Sequence, residues 1–244
     1  MKILALILCL ALPVLAQDED ELLLLQASAS TGGGGGGGPA SFSDDFNRSN
    51  TGDPGANWLE INTANFETAG NSMVSPSTAG FDERAIVWTN NPCTTANQYV
   101  KVTVSGPSAG NGAGVIFRHT TGGAYYQVQF DEDDNAINWK YFPTAGGTAV
   151  LIQSSFFQTW LVYPVTVGVV VTGTGNSTEI RIWNAPTANA PTSVSSWDGS
   201  GALVTLTDNP ATAVDSGPHV GLGINDTSSG SNATWDDFFG GDVP

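Results

Sequence analysis

Charged residues, and basic residues above all, are scarce in this sequence. They make up 12% of the 244 residues, and 7 Lys and Arg stand against 23 Asp and Glu, which gives a formal net charge of −16. Nucleic-acid binding needs clustered cations that contact phosphates, and anionic lipid headgroups attract the same residues. We therefore expect no nucleic-acid partner and no binding to an anionic membrane surface.

Good helix formers are outnumbered by residues that favour turns and strands. The chain has 30 Gly and 13 Pro, together with abundant Thr, Ser and Asn, whereas 40% of its residues are hydrophobic. This mixture supplies a core but disfavours a helical bundle. Cysteine is equally rare, because only Cys9 and Cys93 occur. We expect Cys93 to be a small buried residue near a loop rather than a catalytic thiol.

The first 16 residues have the pattern of a secretory signal peptide. Lys2 precedes the apolar run Ile3–Leu12, Pro13 interrupts it, and Val14-Leu15-Ala16 places small residues at −3 and −1 of a cleavage site. The run is shorter than the roughly 20 apolar residues that span a bilayer. The pattern predicts a secreted protein cut after Ala16, and no later segment is long and apolar enough to cross a membrane.

Residues 17–40 read as a tether. Four acidic residues precede four leucines in residues 18–25, and Gly32–Gly38 is an uninterrupted glycine run that ends at Pro39. Seven consecutive glycines favour a flexible linker over a regular element. The acidic and leucine-rich segment is open to three interpretations: a short helix, a pro-segment or an arm that pairs with a partner.

Residues 41–244 are predicted to form one all-β domain with about a dozen strands. Short alternating runs are bounded by Gly, Pro, Asn and Asp, as in Tyr99–Val104, where three valines share one face. In Ala124–Asp131, Tyr126, Val128 and Phe130 share one face, and Tyr125, Gln127 and Gln129 share the other. Alternation of this kind is typical of antiparallel strands with one dry and one wet face, and it favours a two-sheet sandwich.

The two ends of this domain repeat a motif. Asp44-Asp45-Phe46 lies at the first strand and Asp236-Asp237-Phe238 lies at the last. Three segments resemble secreted laminin G-like, concanavalin A-like jelly rolls. They are the opening SFSDDFNRSNTGDPGANWLE, the segment GAGVIFRHTTGGAYYQVQFD and the close GPHVGLGINDTSSGSNATWDDFFGGD. The resemblance implies a two-sheet antiparallel jelly-roll sandwich with adjacent first and last strands. It also implies a fold that is often secreted and glycan-binding, although the superfamily includes hydrolases and structural modules.

No catalytic residues are predicted. Jelly-roll glucanases carry Glu-x-Asp-x-x-Glu on one strand, which holds two carboxyls about 5 Å apart. The most similar segment of this sequence is Asp131-Glu132-Asp133-Asp134, which lacks the second Glu. We interpret it as a solvated acidic turn. His119 and His219 are 100 residues apart in the sequence, and we expect both at the surface or the rim.

A structural calcium ion is predicted between the repeated motifs. Calcium takes six to eight oxygen ligands, several of them carboxylates. Adjacent first and last strands would bring Asp44 and Asp45 close to Asp236 and Asp237, and a cation relieves the repulsion among clustered carboxylates. The alternative interpretation is four solvated aspartates that protect an edge from aggregation.

A glycan-binding surface is predicted on the wet face of the sandwich, because sugar rings stack on aromatic faces while polar side chains hold their hydroxyls. Trp197, in a loop of small polar residues, is expected to be exposed and to contact ligand. The predicted ligand-binding residues are Arg118, Tyr125, Gln127, Gln129, Lys140 and Trp197.

These observations leave three function classes open. The first is a secreted, non-catalytic module that binds a glycan or a cell-surface polysaccharide, or mediates adhesion. The second is a glycoside hydrolase on the same fold, which needs two carboxyls at glycosidase distance, one with a raised pKa. The third is an extracellular assembly subunit that uses the N-terminal arm.

Overall fold

The alternating runs of the sequence form strands throughout the domain. The structure is a computed structural model that describes residues 40–50, 52–61, 66–75, 83–105, 111–120, 123–131, 134–144, 147–156, 158–198, 201–207, 214–226 and 233–244. The strands in these residues are β1 Ser41–Asp44, β2 Trp58–Ile61, β3 Glu67–Ala69, β4 Ser72–Ser75, β5 Glu83–Trp88, β6 Gln98–Ser105, β7 Asn111–His119, β8 Tyr125–Asp131, β9 Ala136–Phe142, β10 Val150–Ser155, β11 Val165–Thr172, β12 Glu179–Asn184, β13 Val204–Thr207, β14 His219–Asp226 and β15 Ala233–Asp242. A single 3₁₀ turn, Gly175–Ser177, is the helical element of these ranges.

The strands form two antiparallel sheets. The seven-stranded sheet has the order β10-β9-β8-β7-β14-β5-β2. The eight-stranded sheet has the order β13-β12-β11-β6-β15-β4-β3, and β1 also pairs with β15. The predicted all-β, two-sheet antiparallel architecture is therefore confirmed.

The core lies between the sheets and follows the predicted faces. Val100, Val102 and Val104 of β6 and Tyr126 and Val128 of β8 belong to one buried cluster that both sheets share. Alternate residues of β8 point to the opposite side of their sheet, as period-two geometry requires.

The first and last strands are adjacent, as the repeated motif predicts. β1 and β15 are antiparallel, with Ser41 opposite Gly241 and Asp44 opposite Phe238. All the strands lie in one compact unit, Pro39–Pro244. The predicted signal peptide and nearly all of the predicted tether lie outside the described residues. Within the described ranges, no helix is long and apolar enough to cross a membrane.

Arg118 is buried at one end of the sandwich, so its predicted place on the wet face is wrong. Its side chain is 0% exposed, and its φ is +54°. The register between β7 and β14 shifts beside it, between His219 and Gly221. Bulges of this kind redirect a side chain, which explains why simple alternation misplaces Arg118.

The guanidinium of Arg118 connects loops from both sheets. It donates hydrogen bonds to the carbonyl of Ala96 before β6 (Nη2 at 2.8 Å), Gly173 after β11 (2.6 Å) and Val214 before β14 (2.8 Å). Its backbone N–H donates to Oε1 of Gln98 at 3.0 Å. A planar fork of five donors suits several fixed carbonyls at once, so Arg118 closes this end of the fold.

Asp242 closes the same region from the C-terminal side. Its side chain accepts hydrogen bonds from N–H of Ala40 at 3.1 Å, N–H of Thr95 at 2.9 Å and the Thr94 hydroxyl at 2.7 Å. Burial alone would raise the pKa of Asp242, but the hydrogen bonds from Thr94, Thr95 and Ala40 lower it below its usual value. The ionised carboxylate therefore pins the start of the domain to its end.

Replacing Arg118 should destabilise the fold strongly. Arg118→Met leaves the carbonyls of Ala96, Gly173 and Val214 without their donors, and we expect a loss of about 3 kcal/mol or more in the free energy of unfolding, measured by urea denaturation. Arg181→Met, which breaks a partly exposed ion pair with Glu179, is the control and should cost about 1 kcal/mol or less. Equal losses in the two variants would contradict the role given to Arg118.

Asp242 should make stability depend on pH in the acid range. Because its folded pKa lies below the unfolded value, its stabilisation is present above about pH 4 and is lost as pH falls through the folded pKa. Asp242→Asn should therefore cost about 2 kcal/mol or more at pH 7, and the difference from wild type should shrink below pH 4. Asp134→Asn, in an exposed turn, provides the control, and a pH-independent difference for Asp242→Asn would refute the assignment.

Candidate functional site

The outer face of the seven-stranded sheet has a glycine floor. Gly114 of β7 is paired with Gly223 of β14 on one side and with Gln129 of β8 on the other. A Cβ on Gly112 would lie 1.9 Å from Nε2 of Gln129, and one on Gly223 would lie 3.1 Å from Nε2 of Gln127. The two glutamine side chains therefore lie across the floor, and a side chain at Gly112 would collide with Gln129.

The two glutamines carry polar atoms without partners. Gln127 and Gln129 are 2% and 3% exposed. Nε2 of Gln127 and Oε1 of Gln129 are buried and have no hydrogen-bond partner in the described part of the chain. Buried polar atoms nearly always have a partner, so this donor and acceptor call for one that the described residues do not supply, such as a water molecule or a ligand group.

A row of polar side chains, the polar stripe, runs from Gln127 and Gln129 on β8 across β9 to β10. Lys140 is opposite Gln127, and Asn138 is opposite Gln129. Both are partly exposed, and Asn138 donates to Asp131 at 3.4 Å and contacts the Ser154 hydroxyl at 2.5 Å. The predicted residues Gln127, Gln129 and Lys140 thus come together on one face.

Apolar residues border this stripe on both sides. Leu151, opposite Lys140, is 56% exposed. On the other side, a buried cluster includes Ile116 and Phe142, and the predicted residue Tyr125 belongs to it. The Tyr125 ring stacks on Phe142 with centroids 4.5 Å apart. Tyr125 is 1% exposed, so its predicted place on the wet face is wrong. Polar groups between apolar borders are typical of sites for small ligands and sugars.

Trp197 lies on the other sheet and is buried, so its predicted exposure is wrong. Its ring is 0% exposed, and it packs edge-on against Tyr99 at 5.7 Å. Its indole N–H donates to the carbonyl of Ala188 at 2.8 Å. A Cβ on Gly168 would lie 3.0 Å from the Trp197 ring, so a glycine in β11 makes the space that the indole fills.

One carboxylate is described on the candidate face. This carboxylate belongs to Asp131, which lies next to Asn138. The backbone of Glu83 lies in the same row, three strands away, which places the two backbones about 14 Å apart. Within the described side chains, this face holds no carboxyl pair at the 5–9.5 Å typical of glycosidases. Asp134 and Asn135 form the exposed turn that follows, as predicted.

The two histidines are adjacent at the paired ends of β7 and β14. His219 is partly exposed there, as expected for a rim position, whereas His119 is largely buried, which the prediction missed. Their ring centroids are 6.1 Å apart. Burial, and then the proximity of His219, lowers the pKa of His119 to about 4. Burial also lowers the pKa of His219, although its hydrogen bond to the Trp88 carbonyl opposes this effect. Cys93 is buried as predicted, and burial followed by the charge of Asp242 raises its pKa to about 12.

Asp44 is fully occupied by protein donors and does not fit the predicted calcium site. Its oxygens accept two hydrogen bonds from the guanidinium of Arg48, at 2.8 and 2.9 Å, and one from the indole N–H of Trp58 at 2.8 Å. The N–H of Phe46 donates to it at 2.9 Å. The opening motif of the domain therefore forms an internal clasp.

Asp236 lies within electrostatic reach of Asp45 and of Asp237. Burial, followed by the charges of Asp237 and Asp45, raises the pKa of Asp236, despite a hydrogen bond from the Asp237 N–H. Among the residues the structure describes, no group of three or more His, Cys, Asp or Glu is arranged to hold a metal ion. A calcium site at Asp45, Asp236 and Asp237 stays a prediction.

Comparisons with known proteins identify the fold. A scan against models of known families finds no match, and a search of curated proteins finds no significant match. Among solved structures, the chain is similar to SCLam, a non-specific endo-β-1,3(4)-glucanase from family GH16 (TM-score 0.51, 11% identity, 83% of this chain and 90% of that chain). It is also similar to a Bacillus licheniformis β-glucanase (0.50, 12%, 84% and 98%) and to the carbohydrate-binding module CBM66 from Bacillus subtilis (0.46, 10%, 75% and 93%).

The fold is the concanavalin A-like jelly roll. The two glucanases carry this conclusion, because the chain matches nearly their whole length. At 11% and 12% identity these similarities establish the fold and leave the function to the site.

The role of Asp44 can be separated from that of calcium. Asp44→Asn breaks the clasp with Arg48 and Trp58, and we expect it to lower the free energy of unfolding by about 2–3 kcal/mol, equally in calcium and in chelator. If calcium binds at Asp45, Asp236 and Asp237, it should raise the melting temperature more than matched sodium chloride does, and Asp237→Asn should remove this increase. A calcium-dependent loss for Asp44→Asn would restore Asp44 as a ligand.

Proposed function

We propose that this chain is a secreted, non-catalytic module that binds a glycan on the outer face of the seven-stranded sheet. The observation that carries the proposal is the pair of unpartnered amide atoms on Gln127 and Gln129 above the glycine floor. A pyranose presents several hydroxyls that donate and accept at once, which matches an amide N–H and an amide oxygen.

The residues that border the polar stripe fit a sugar better than a small charged ligand. The exposed Leu151 gives the C–H face of a sugar ring an apolar surface, while Lys140 and Asn138 supply polar contacts. The formal net charge of −16 opposes the approach of a polyanion. A neutral polysaccharide is therefore the proposed ligand class.

Secretion fits this ligand class. The N-terminal pattern of Lys2, Ile3–Leu12 and Ala16 is that of a signal peptide, and a secreted protein can meet polysaccharides outside the cell. The similarity to an enzyme whose name specifies β-1,3(4)-glucan makes that polymer the first probe.

Two substitutions on the stripe test the proposal. Asn138→Ala and Lys140→Ala each remove a partly exposed polar contact, and we expect each to weaken glucan binding about tenfold, the effect of losing one good hydrogen bond. Binding is measured by calorimetry after a glycan array on the full chain has identified the best ligand. Arg181→Ala, on a strand of the eight-stranded sheet, is the matched control.

Other outcomes separate the alternative functions. Release of reducing sugars in the same mixtures would support a hydrolase. Equal losses for Arg181→Ala, or no glycan bound at all, would contradict the assignment of the face. Self-association that depends on residues 17–31, without glycan binding, would support an assembly subunit.

A further inference from the structure

The fold brings the chain's two histidines together. They are the only histidines among 244 residues and are 100 positions apart in the sequence. β7 and β14 are antiparallel neighbours, and His119 is directly opposite His219 in their register. The ring centroids are 6.1 Å apart, with the ring planes inclined at 42°. A direct cross-strand pair keeps two side chains on one face within contact distance.

His219 is held in one tautomer. Its Nδ1 lies 3.0 Å from the carbonyl oxygen of Trp88. A carbonyl only accepts hydrogen bonds, so Nδ1 carries the proton and Nε2 carries the lone pair. Metal-ligating histidines show the same arrangement, because the N–H of the other nitrogen donates to a carbonyl and orients the ring.

His119 adds a buried nitrogen without a protein partner. The residue is 6% exposed, and its Nδ1 is buried and makes no hydrogen bond within the described ranges. The Tyr125 ring lies beside it, with centroids 6.0 Å apart, which limits the movement of the imidazole. Unpartnered buried polar atoms in native proteins call for an explanation such as an ion or a water molecule.

We propose that His119 and His219 bind one divalent transition-metal ion of the zinc, nickel or copper class. Imidazole nitrogen suits these ions, whereas calcium and magnesium prefer oxygen. Two metal–nitrogen bonds of about 2.0–2.1 Å span up to about 4 Å, a separation that rings at this distance can present. Water, or an oxygen of a bound ligand, fills the remaining positions. This site is independent of the proposed glycan binding and of the aspartates discussed for calcium.

Copper spectroscopy on the full chain tests the site directly. One equivalent of Cu²⁺ is added to chelator-treated protein at pH 7, and electron paramagnetic resonance counts the bound nitrogens. We expect nitrogen hyperfine structure from two imidazoles in wild type and from one imidazole in His219→Gln. Carboxylate binding to this acidic chain gives oxygen coordination, so the two cases are distinguishable. A wild-type spectrum without imidazole nitrogen would overturn the proposal.

Zinc titration supplies a second measurement. We expect one zinc ion to bind per chain by calorimetry, and His219→Gln should weaken this binding about tenfold or more, since even outer-shell changes cost 10–100-fold. His219→Gln is chosen because His219 is less buried than His119, and its fold is checked by circular dichroism without metal. Asp237→Asn is the control for carboxylate binding. Zinc affinity that falls with Asp237→Asn and not with His219→Gln would place the ion elsewhere and refute the histidine site.

Discussion

The guanidinium of Arg118 joins the two sheets at one end of the sandwich, and several other features depend on this contact. It extends from β7 to the carbonyls of Ala96 and Gly173, which flank strands of the other sheet. The bulge that turns Arg118 inward also sets the register at which His119 meets His219. A Cβ on Gly217 would lie 2.0 Å from the Arg118 carbonyl oxygen, so the chain passes close to this residue on its way into β14. Asp242 fastens Ala40 and Thr94 nearby and completes this end of the fold.

The two outer faces of the sandwich differ because of where the loops and glycines are. On the eight-stranded sheet, Gly168 makes room for Trp197, and the segment that carries Trp197 is held by hydrogen bonds from Thr187 and Ala188 to Asp198. That face is packed by its own chain. On the seven-stranded sheet, the glycines lie beneath Gln127 and Gln129, whose amides include atoms without a partner in the described part of the chain. These amides direct the functional proposal to the seven-stranded sheet.

Local pattern was sufficient to predict the strands but not the positions of individual polar and aromatic side chains. The alternation in Tyr99–Val104 and Ala124–Asp131 predicted the strands and their core-facing residues, because the period of two is a local property. The opposite face of β8 was predicted to be wet, but Tyr125, Gln127 and Gln129 on it are only 1–3% exposed. Short strands such as β3, with three residues, contain too few residues for the pattern to appear. Trp197 seemed exposed because its sequence neighbours are small and polar, but its packing partners Tyr99 and Gly168 are distant in sequence. Arg118 was misplaced by a bulge that depends on the pairing of two strands about 100 residues apart, and the histidine pair depends on the same pairing.

The same long-range pairing explains why the proposed glycan-binding face and the proposed metal-binding histidine pair are neighbours without sharing residues. β7 and β14 contribute glycines to the floor at Gly114 and Gly223 and histidines at their paired ends. Tyr125 lies between the two places, since its ring contacts His119 on one side and stacks on Phe142 on the other. The glutamines present hydrogen-bonding amides, which suit hydroxyls, whereas the imidazoles present nitrogen lone pairs, which suit transition metals. One pair of strands can therefore support two kinds of recognition, because the residue type changes along the strands while the backbone pairing stays regular.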